Sequence, residues 1–227
     1  MMRVGIAMLQ GARHEHTQAL RTASEQLGIP VEVVELRSGK DVDETLDALV
    51  LPGGESTAMR KASESEALLA ALFSWMTQHA GRPVLGTCAG AILLASPGRD
   101  YQPFIQASIA RNAWGRQRES FEAMLQVSLE TPSSHLDAVA QLPRDRFNHQ
   151  PLPVSNASFN GEKNRFHGLF IRAPRFEQDT IQCTKVVELE QETVGVLDGS
   201  KLALTFHPEL TNDYRFHRWL ILQADSQ

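Results

Sequence analysis

The sequence predicts an α/β fold, a mostly parallel sheet with helices on both faces. Two observations point to it: short apolar, β-branched runs alternate with segments of helical periodicity through the first half, and strand ends run directly into glycine-containing turns. Parallel neighbours need a crossover connection, and a repeated β-α-β order supplies one each time. Val4 to Leu9 reads as the first strand, and Ala19, Leu20, Ala23 and Leu27 then recur at helical spacing until Gly28-Ile29-Pro30 stops the helix. Val31 to Leu36 and Ala48 to Leu51 are the next strands, the latter followed by the turn Pro52-Gly53-Gly54. Ser63 and Glu66 have capping-box spacing ahead of the apolar stripe Leu68, Leu69, Leu72, Phe73 and Met76. Pro83 to Gly86 is a short strand, and Ala89 to Ala95 suits a buried helix.

The second half changes character. Ile105 to Ile109, Gln126 to Leu129, Leu169 to Ile171, Val186 to Leu189, Val194 to Leu197 and Leu202 to Phe206 all look like strands, with Asp198-Gly199 as a hairpin turn between the last two. This predicts a small antiparallel extension of the sheet. From about Thr131 to His167 the chain is rich in Pro, Ser, Asn and charge, which reads as a long surface insertion, with Ser158 to Lys163 expected to be mobile. A final amphipathic helix, opened by Thr211 or Asn212, carries Phe216, Trp219 and Leu220.

Composition bounds the function. The 227 residues, 42% hydrophobic and 22% charged, suffice for one core, so a single domain over residues 1–227 is expected. A net charge of -5 with scattered basic residues offers no stripe for a phosphate backbone, which argues against nucleic acid. The opening apolar run is too short for a signal peptide or membrane span, and two cysteines, Cys88 and Cys183, make no disulfide framework. The expected setting is the cytoplasm, away from membranes.

Three stretches carry chemistry. Gly86-Thr87-Cys88-Ala89-Gly90 places a nucleophile between glycines where a strand gives way to a helix. Such an elbow strains the nucleophile's backbone, and the glycines remove side chains that would clash. At a helix start the thiolate is favoured, and the Ala89 N–H is placed to donate to a developing oxyanion. A buried structural cysteine is the other common use of the residue. Thr205-Phe206-His207-Pro208-Glu209 supplies the context: His207 suits both base and acid roles, and Glu209, two residues on along an extended segment, can fix the imidazole tautomer. Leu51-Pro52-Gly53-Gly54-Glu55-Ser56-Thr57 is a third turn at the carboxyl end of a strand, where open α/β sheets gather ligands, and its glycines allow backbone N–H groups to approach a substrate or act as a second oxyanion donor.

In this order the stretches resemble class I glutamine amidotransferases, and more narrowly the glutaminase subunits of pyridoxal 5'-phosphate synthase. The likeness also rests on Leu9-Gln10-Gly11-Ala12, Arg111-Asn112, Gly115-Arg116-Gln117 with Ser120-Phe121-Glu122, Phe170-Ile171-Arg172-Ala173-Pro174 and Phe206-His207-Pro208-Glu209-Leu210-Thr211. It implies a single-domain, flavodoxin-like fold. It also implies Cys88 as nucleophile, His207 as base and acid, and Glu209 as its orienting carboxylate. Ala89 and Gly54 would form the oxyanion hole, and L-glutamine would be bound by Gly53, Gly54, Glu55, Arg111, Ile171 and Arg172. A carboxylate and a guanidinium match the ammonium and carboxylate of free glutamine. Attack on the side-chain carboxamide would release ammonia and leave a thioester, whose hydrolysis gives glutamate, with no metal or organic cofactor. His14 and His16 could suggest a metal pair, but no further ligands cluster with them. The resemblance instead sets Gln10 to His16 at the mouth of the site and the partner surface.

The implied partner is a barrel-shaped synthase subunit, in a large hetero-oligomer, that receives the ammonia to build pyridoxal 5'-phosphate. Two features depart from the family pattern: the length of the Thr131 to His167 insertion, and Ala110 where an acidic residue is expected before Arg111. Two other readings remain, a different cysteine hydrolase of related fold and a non-catalytic scaffold that binds the synthase. The first leaves Gly53-Gly54-Glu55, Arg111 and Ile171-Arg172 without a purpose, and the second gives no reason to keep Cys88, His207 and Glu209 together.

Overall fold

The computed structural model describes residues 1–111, 113–114, 120–132, 154–155 and 164–227. The described strands are β1 (Met2–Ala7), β2 (Val31–Leu36), β3 (Ala48–Leu51), β4 (Val84–Thr87), β5 (Ile109–Ala110), β6 (Ser120–Val127), β7 (Arg165–Ile171), β8 (Arg175–Phe176), β9 (Thr184–Leu189), β10 (Glu192–Asp198) and β11 (Lys201–Leu204). The described α-helices are α1 (Arg13–Leu27), α2 (Ser56–Ser63), α3 (Leu68–Gln78), α4 (Ala89–Ala95) and α5 (Arg215–Asp225).

Nine strands form one sheet in the order β2-β1-β3-β4-β11-β10-β9-β6-β7, and β5 pairs with β8 in a separate ribbon. The first five are parallel, and β11 onward alternates antiparallel. The parallel part has the flavodoxin-like order, in which ligands gather at the carboxyl ends of the strands. The fold is therefore the α/β architecture predicted, with its antiparallel extension.

Buried on both faces, the parallel strands are almost continuously apolar, as in β3, where all four residues are buried. Their side chains alternate between two cores. Val4, Ile6, Val50, Leu85, Leu202 and Leu204 pack toward α1 and α5 with Leu20, Phe216 and Trp219. Leu49, Leu51, Val84 and Ala203 pack toward α2, α3 and α4 with Met59, Leu72, Phe73 and Leu93. At the end of α1, Gly28 takes a left-handed conformation (φ 66°) and Pro30 follows, the stop expected. The β10–β11 hairpin turns at Gly199, with Asp198 opposite Lys201.

Several expectations are corrected. Ile105 is buried but lies outside any strand, and only Ile109–Ala110 pairs. Ser63 does not cap α3 as the first residue of a box with Glu66; it ends α2, and its hydroxyl accepts the Leu69 N–H (2.7 Å) after the chain has turned through a left-handed Ala67. The last helix starts at Arg215, later than Thr211 or Asn212, and the Asp213 carboxylate accepts the Arg215 N–H. The 131–167 segment is not wholly a surface insertion. Arg165 to His167 belong to β7, Val154 is fully buried in the α1–α5 core, and the Ser155 hydroxyl donates to the Leu129 carbonyl (2.5 Å). Ser158 to Lys163, expected to be mobile, lies outside the described residues, as do Asn112 and the Gly115-Arg116-Gln117 stretch.

Candidate active site

Four turns at the carboxyl ends of β1, β3, β4 and β11 converge on one point. Cys88 follows β4, where its N–H donates to the Leu204 carbonyl of the neighbouring strand (2.8 Å) and its backbone sits at φ 48°, ψ −105°. That left-handed conformation is costly for a residue with a side chain and persists only where the surroundings enforce it. They do so through close packing: a Cβ on Gly90 would lie 1.9 Å from the Leu51 carbonyl oxygen, and one on Gly86 would lie 2.9 Å from the Gly90 backbone. The flanking glycines thus let α4 close onto β3 and lock the elbow.

His207 follows β11, with its N–H donating to the Leu169 carbonyl of β7 (2.9 Å). The segment after it is not extended, as the spacing suggested, but a 3₁₀ turn over Pro208–Leu210, with Pro in a first-turn position where no N–H is needed. The turn swings Glu209 back so that its Oε1 lies 2.7 Å from His207 Nδ1, the imidazole N–H donating and the carboxylate accepting. Cys88, His207 and Glu209 are 5%, 7% and 5% exposed, so the three groups act on one another with little solvent between them.

Gly53 packs against both side chains: a Cβ there would meet His207 Cε1 at 2.5 Å and Cys88 Cβ at 3.3 Å. Burial by itself would lower the basicity of His207, but the Cys88 sulfur beside it and the Glu209 carboxylate bonded to it lift its pKa to about 10. Glu209 would be pushed up by burial, and His16 and His207 on either side hold it below the usual carboxylate value. The other thiol, Cys183, is half-buried, and burial with the nearby Asp198 pushes it up, away from the reactive form.

A pocket of about 200 Å³ opens over the sulfur, lined by Gly11, Gly54, Glu55, Arg111, Ile171, Arg172 and His207 among others. Glu55 caps α2, a helix the sequence reading missed, and accepts the N–H groups of Thr57 (2.9 Å) and Ala58 (2.7 Å), which hold it below its ordinary carboxylate value. Arg111 donates to the Thr57 hydroxyl (2.7 Å), which sets its guanidinium at the pocket rim. The Ile171 carbonyl faces the Cys88 sulfur at 4.0 Å, and Arg172 beside it has φ 43°, a second strained position at the same rim. Gln10 braces this turn, its Oε1 accepting the Glu55 N–H (2.9 Å).

His16 departs from expectation. It is fully buried behind Glu209, not at the mouth, and its nitrogens contact His217, Thr87 and Glu209. The signal lay in the sequence, since His16 occupies the same helical stripe as Ala19, Leu20 and Ala23. Among the described residues no group of three or more His, Cys, Asp or Glu side chains is arranged to hold a metal ion, and no helix is long and apolar enough to cross a membrane.

Known proteins match this chain along most of its length. The model of the SNO glutamine amidotransferase family matches residues 6–139 and 143–226. The pyridoxal 5'-phosphate synthase subunit PdxT of Ignicoccus hospitalis is 36% identical, covering 98% of this chain and 100% of that one. The protein of the same description from Thermococcus onnurineus is 33% identical over 99% and 100%. Among solved structures, a glutamine amidotransferase superposes with a TM-score of 0.70 at 33% identity, over 98% of each chain. A glutamine amidotransferase from Thermotoga maritima shares the fold, with a TM-score of 0.56 at 17% identity over 99% of this chain and 83% of that one. By sequence over nearly its full length, and with the fold in agreement, the chain belongs to the SNO glutamine amidotransferase family.

Proposed function

We propose that this glutamine amidotransferase, acting as one glutaminase domain over residues 1–227, hydrolyses L-glutamine through a Cys88–His207–Glu209 triad and hands the ammonia to a pyridoxal 5'-phosphate synthase subunit. The observation that carries this reading is the strained Cys88 beside His207, both lining one pocket, with Glu209 buried behind the imidazole and bonded to it. Such a series supplies a nucleophile, a proton carrier and an orienting carboxylate.

The Cys88 thiol gives its proton to His207, the sulfur attacks the carboxamide carbon, and the C=O π electrons move to oxygen, where the N–H groups of Ala89 and Gly54 receive the negative charge. As the tetrahedral adduct collapses, His207 gives its proton to the leaving nitrogen, the C–N bond breaks and a thioester remains. Water then attacks the thioester carbon while His207 takes a proton from it, and the C–S bond breaks to release glutamate. Glutamine fits the pocket with its ammonium toward Glu55, which the amides of α2 keep ionised, and its carboxylate toward Arg111 or Arg172, while the backbones of Gly54 and Ile171 line the side chain and Gly53, packed on Cys88 and His207, leaves them room.

The relatives' description as a synthase subunit supports the partner, a barrel subunit in a large hetero-oligomer. Two free thiols, one of which must stay reduced to react, favour the cytoplasm. The test is ammonia and glutamate release from glutamine with and without the synthase subunit, using wild-type chain and Cys88→Ala. Wild type with its partner is expected to exceed the variant by at least about 10⁴-fold. Equal release from the two would end the catalytic reading.

A further inference from the structure

Behind the triad lies a second row of buried groups that the mechanism above does not use. Glu209 presents Oε1 to His207, and its other oxygen, Oε2, has no hydrogen bond among the described residues. The nitrogen facing Oε2 is His16 Nε2, at 3.4 Å, which also lies 3.1 Å from the Thr87 hydroxyl, one residue before the nucleophile. On its far side His16 Nδ1 lies 2.9 Å from His217 Nε2 of α5, and His217 Nδ1 is buried without a partner among the described residues.

The proton positions follow from these contacts. If His16 carried its proton on Nδ1, it would donate to His217 Nε2. His217 would then hold a proton on Nδ1 with nothing to accept it, and a bare His16 lone pair would face a carboxylate. If instead His217 Nε2–H donates to His16 Nδ1, the His16 proton sits on Nε2 and points at Glu209 and Thr87, and the unpartnered His217 Nδ1 is only a lone pair. Orphaned buried N–H groups are the rarer and costlier kind, so the second arrangement is selected.

We propose that His16 and His217 are positioning residues for the triad: His217 fixes the tautomer of His16, and His16 turns its Nε2–H edge toward the second oxygen of Glu209, so that the carboxylate stays ionised and aligned while it orients His207. This rests on the triad reading and adds to it a series running from α5 through α1 to the nucleophile strand. The groups facing each member fit the assignment. His16 meets Glu209, His207, His217, Thr87 and, on its own helix, Glu15; His217 meets His16 and Arg218. Burial, the largest influence on both, lowers His16 and takes His217 well below the ordinary histidine value, so both rings are neutral near neutral pH. A neutral relay adds a donor to Glu209 without adding another buried charge.

The test is the pH profile of glutamine turnover by the full chain with saturating synthase subunit. His16→Phe removes the donor, so Glu209 protonates at higher pH. The acid limb of kcat is expected to move up by about one unit, with KM little changed because the ring does not touch the pocket. His16→Gln, whose carboxamide N–H can replace the donor, is expected to return the limb toward wild type, and His217→Phe to shift it in the same direction by less. A limb that stays in place in His16→Phe, or activity lost equally at every pH, would overturn the proposal. Nitrogen NMR of the wild-type imidazoles needs no variant: His16 protonated on Nε2 supports the relay, and on Nδ1 it overturns it. Cys88→Ala separates the two readings. An active Cys88→Ala ends the triad and the relay with it, whereas an inactive one combined with unmoved pH limbs ends the relay alone.

Discussion

The two ends of the parallel sheet solve the burial of polar groups in opposite ways. At the amino end, Lys201 opens β11 only 5% exposed, and its ammonium donates to the carbonyls of Ala80 (2.7 Å) and Arg82 (2.8 Å) and to the Ser200 hydroxyl (2.6 Å). Burial pulls its pKa to about 8, yet all three donors have acceptors, so the charge serves to tie the β4 approach to the hairpin. At the carboxyl end, Cys88 and Arg172 hold left-handed backbone, Glu209 keeps one oxygen without a hydrogen bond among the described residues, and two neutral histidines lie beneath it. The same strands therefore end in a satisfied network on one side and in stored strain and unpaired acceptors on the other. Unsatisfied polar groups and strained backbone are expected to collect where chemistry is done, and here they mark the end that faces the pocket.

The contrast is broken most strongly at Glu209. Glu209→Gln preserves shape but removes the charge that holds the His207 tautomer, so glutamine turnover should fall by about 10³-fold while urea unfolding changes little. Lys201→Met should do the reverse. It leaves the Ala80 and Arg82 carbonyls to share the single Ser200 hydroxyl as donor, costing about 1–3 kcal/mol in urea unfolding, with kcat unchanged because the site lies at the other end of the sheet. Cys88→Gly should gain about 1 kcal/mol by removing the left-handed strain, while abolishing activity, as expected where stability has been given up for function.

The smallest effect concerns pH. His16 and His217 have lowered pKa values in the folded chain, so below about pH 6.5 the unfolded chain binds protons that the folded chain excludes. Their contribution to stability is present above that pH and is lost as the pH falls. His217→Phe should make the acid-side decline of stability shallower, a slope readable from urea midpoints between pH 7 and 5.

Much of this was legible in the sequence because the parallel strands are apolar throughout and end in glycine turns. β1, β3, β4 and the elbow at Cys88 are set by local pattern, and Gly86 and Gly90 are required by contacts that any side chain would violate. Helix α2 was not legible: in Ser56–Ser63 Met59 is the lone large apolar residue, and its N-cap Glu55 reads equally well as a ligand. The Ser63–Glu66 spacing fits a capping box, but the left-handed Ala67 between the helices moves the real bond to Leu69. Tertiary placement decided the rest. The helical stripe marks His16 as buried, but a sequence does not show that Thr87, Glu209 and His217, 71 to 201 positions away, close around it.

In the proposed mechanism a sulfur, an imidazole and a carboxylate work in series at Cys88. Peptide mapping after reaction with a glutamine-mimicking electrophile, in the presence of the synthase subunit, tests it most directly. Modification is expected at Cys88, protected by glutamine and slowed at least about 100-fold in His207→Asn. Modification at Cys183 instead, or labelling of Cys88 that neither glutamine nor the loss of His207 alters, would contradict it.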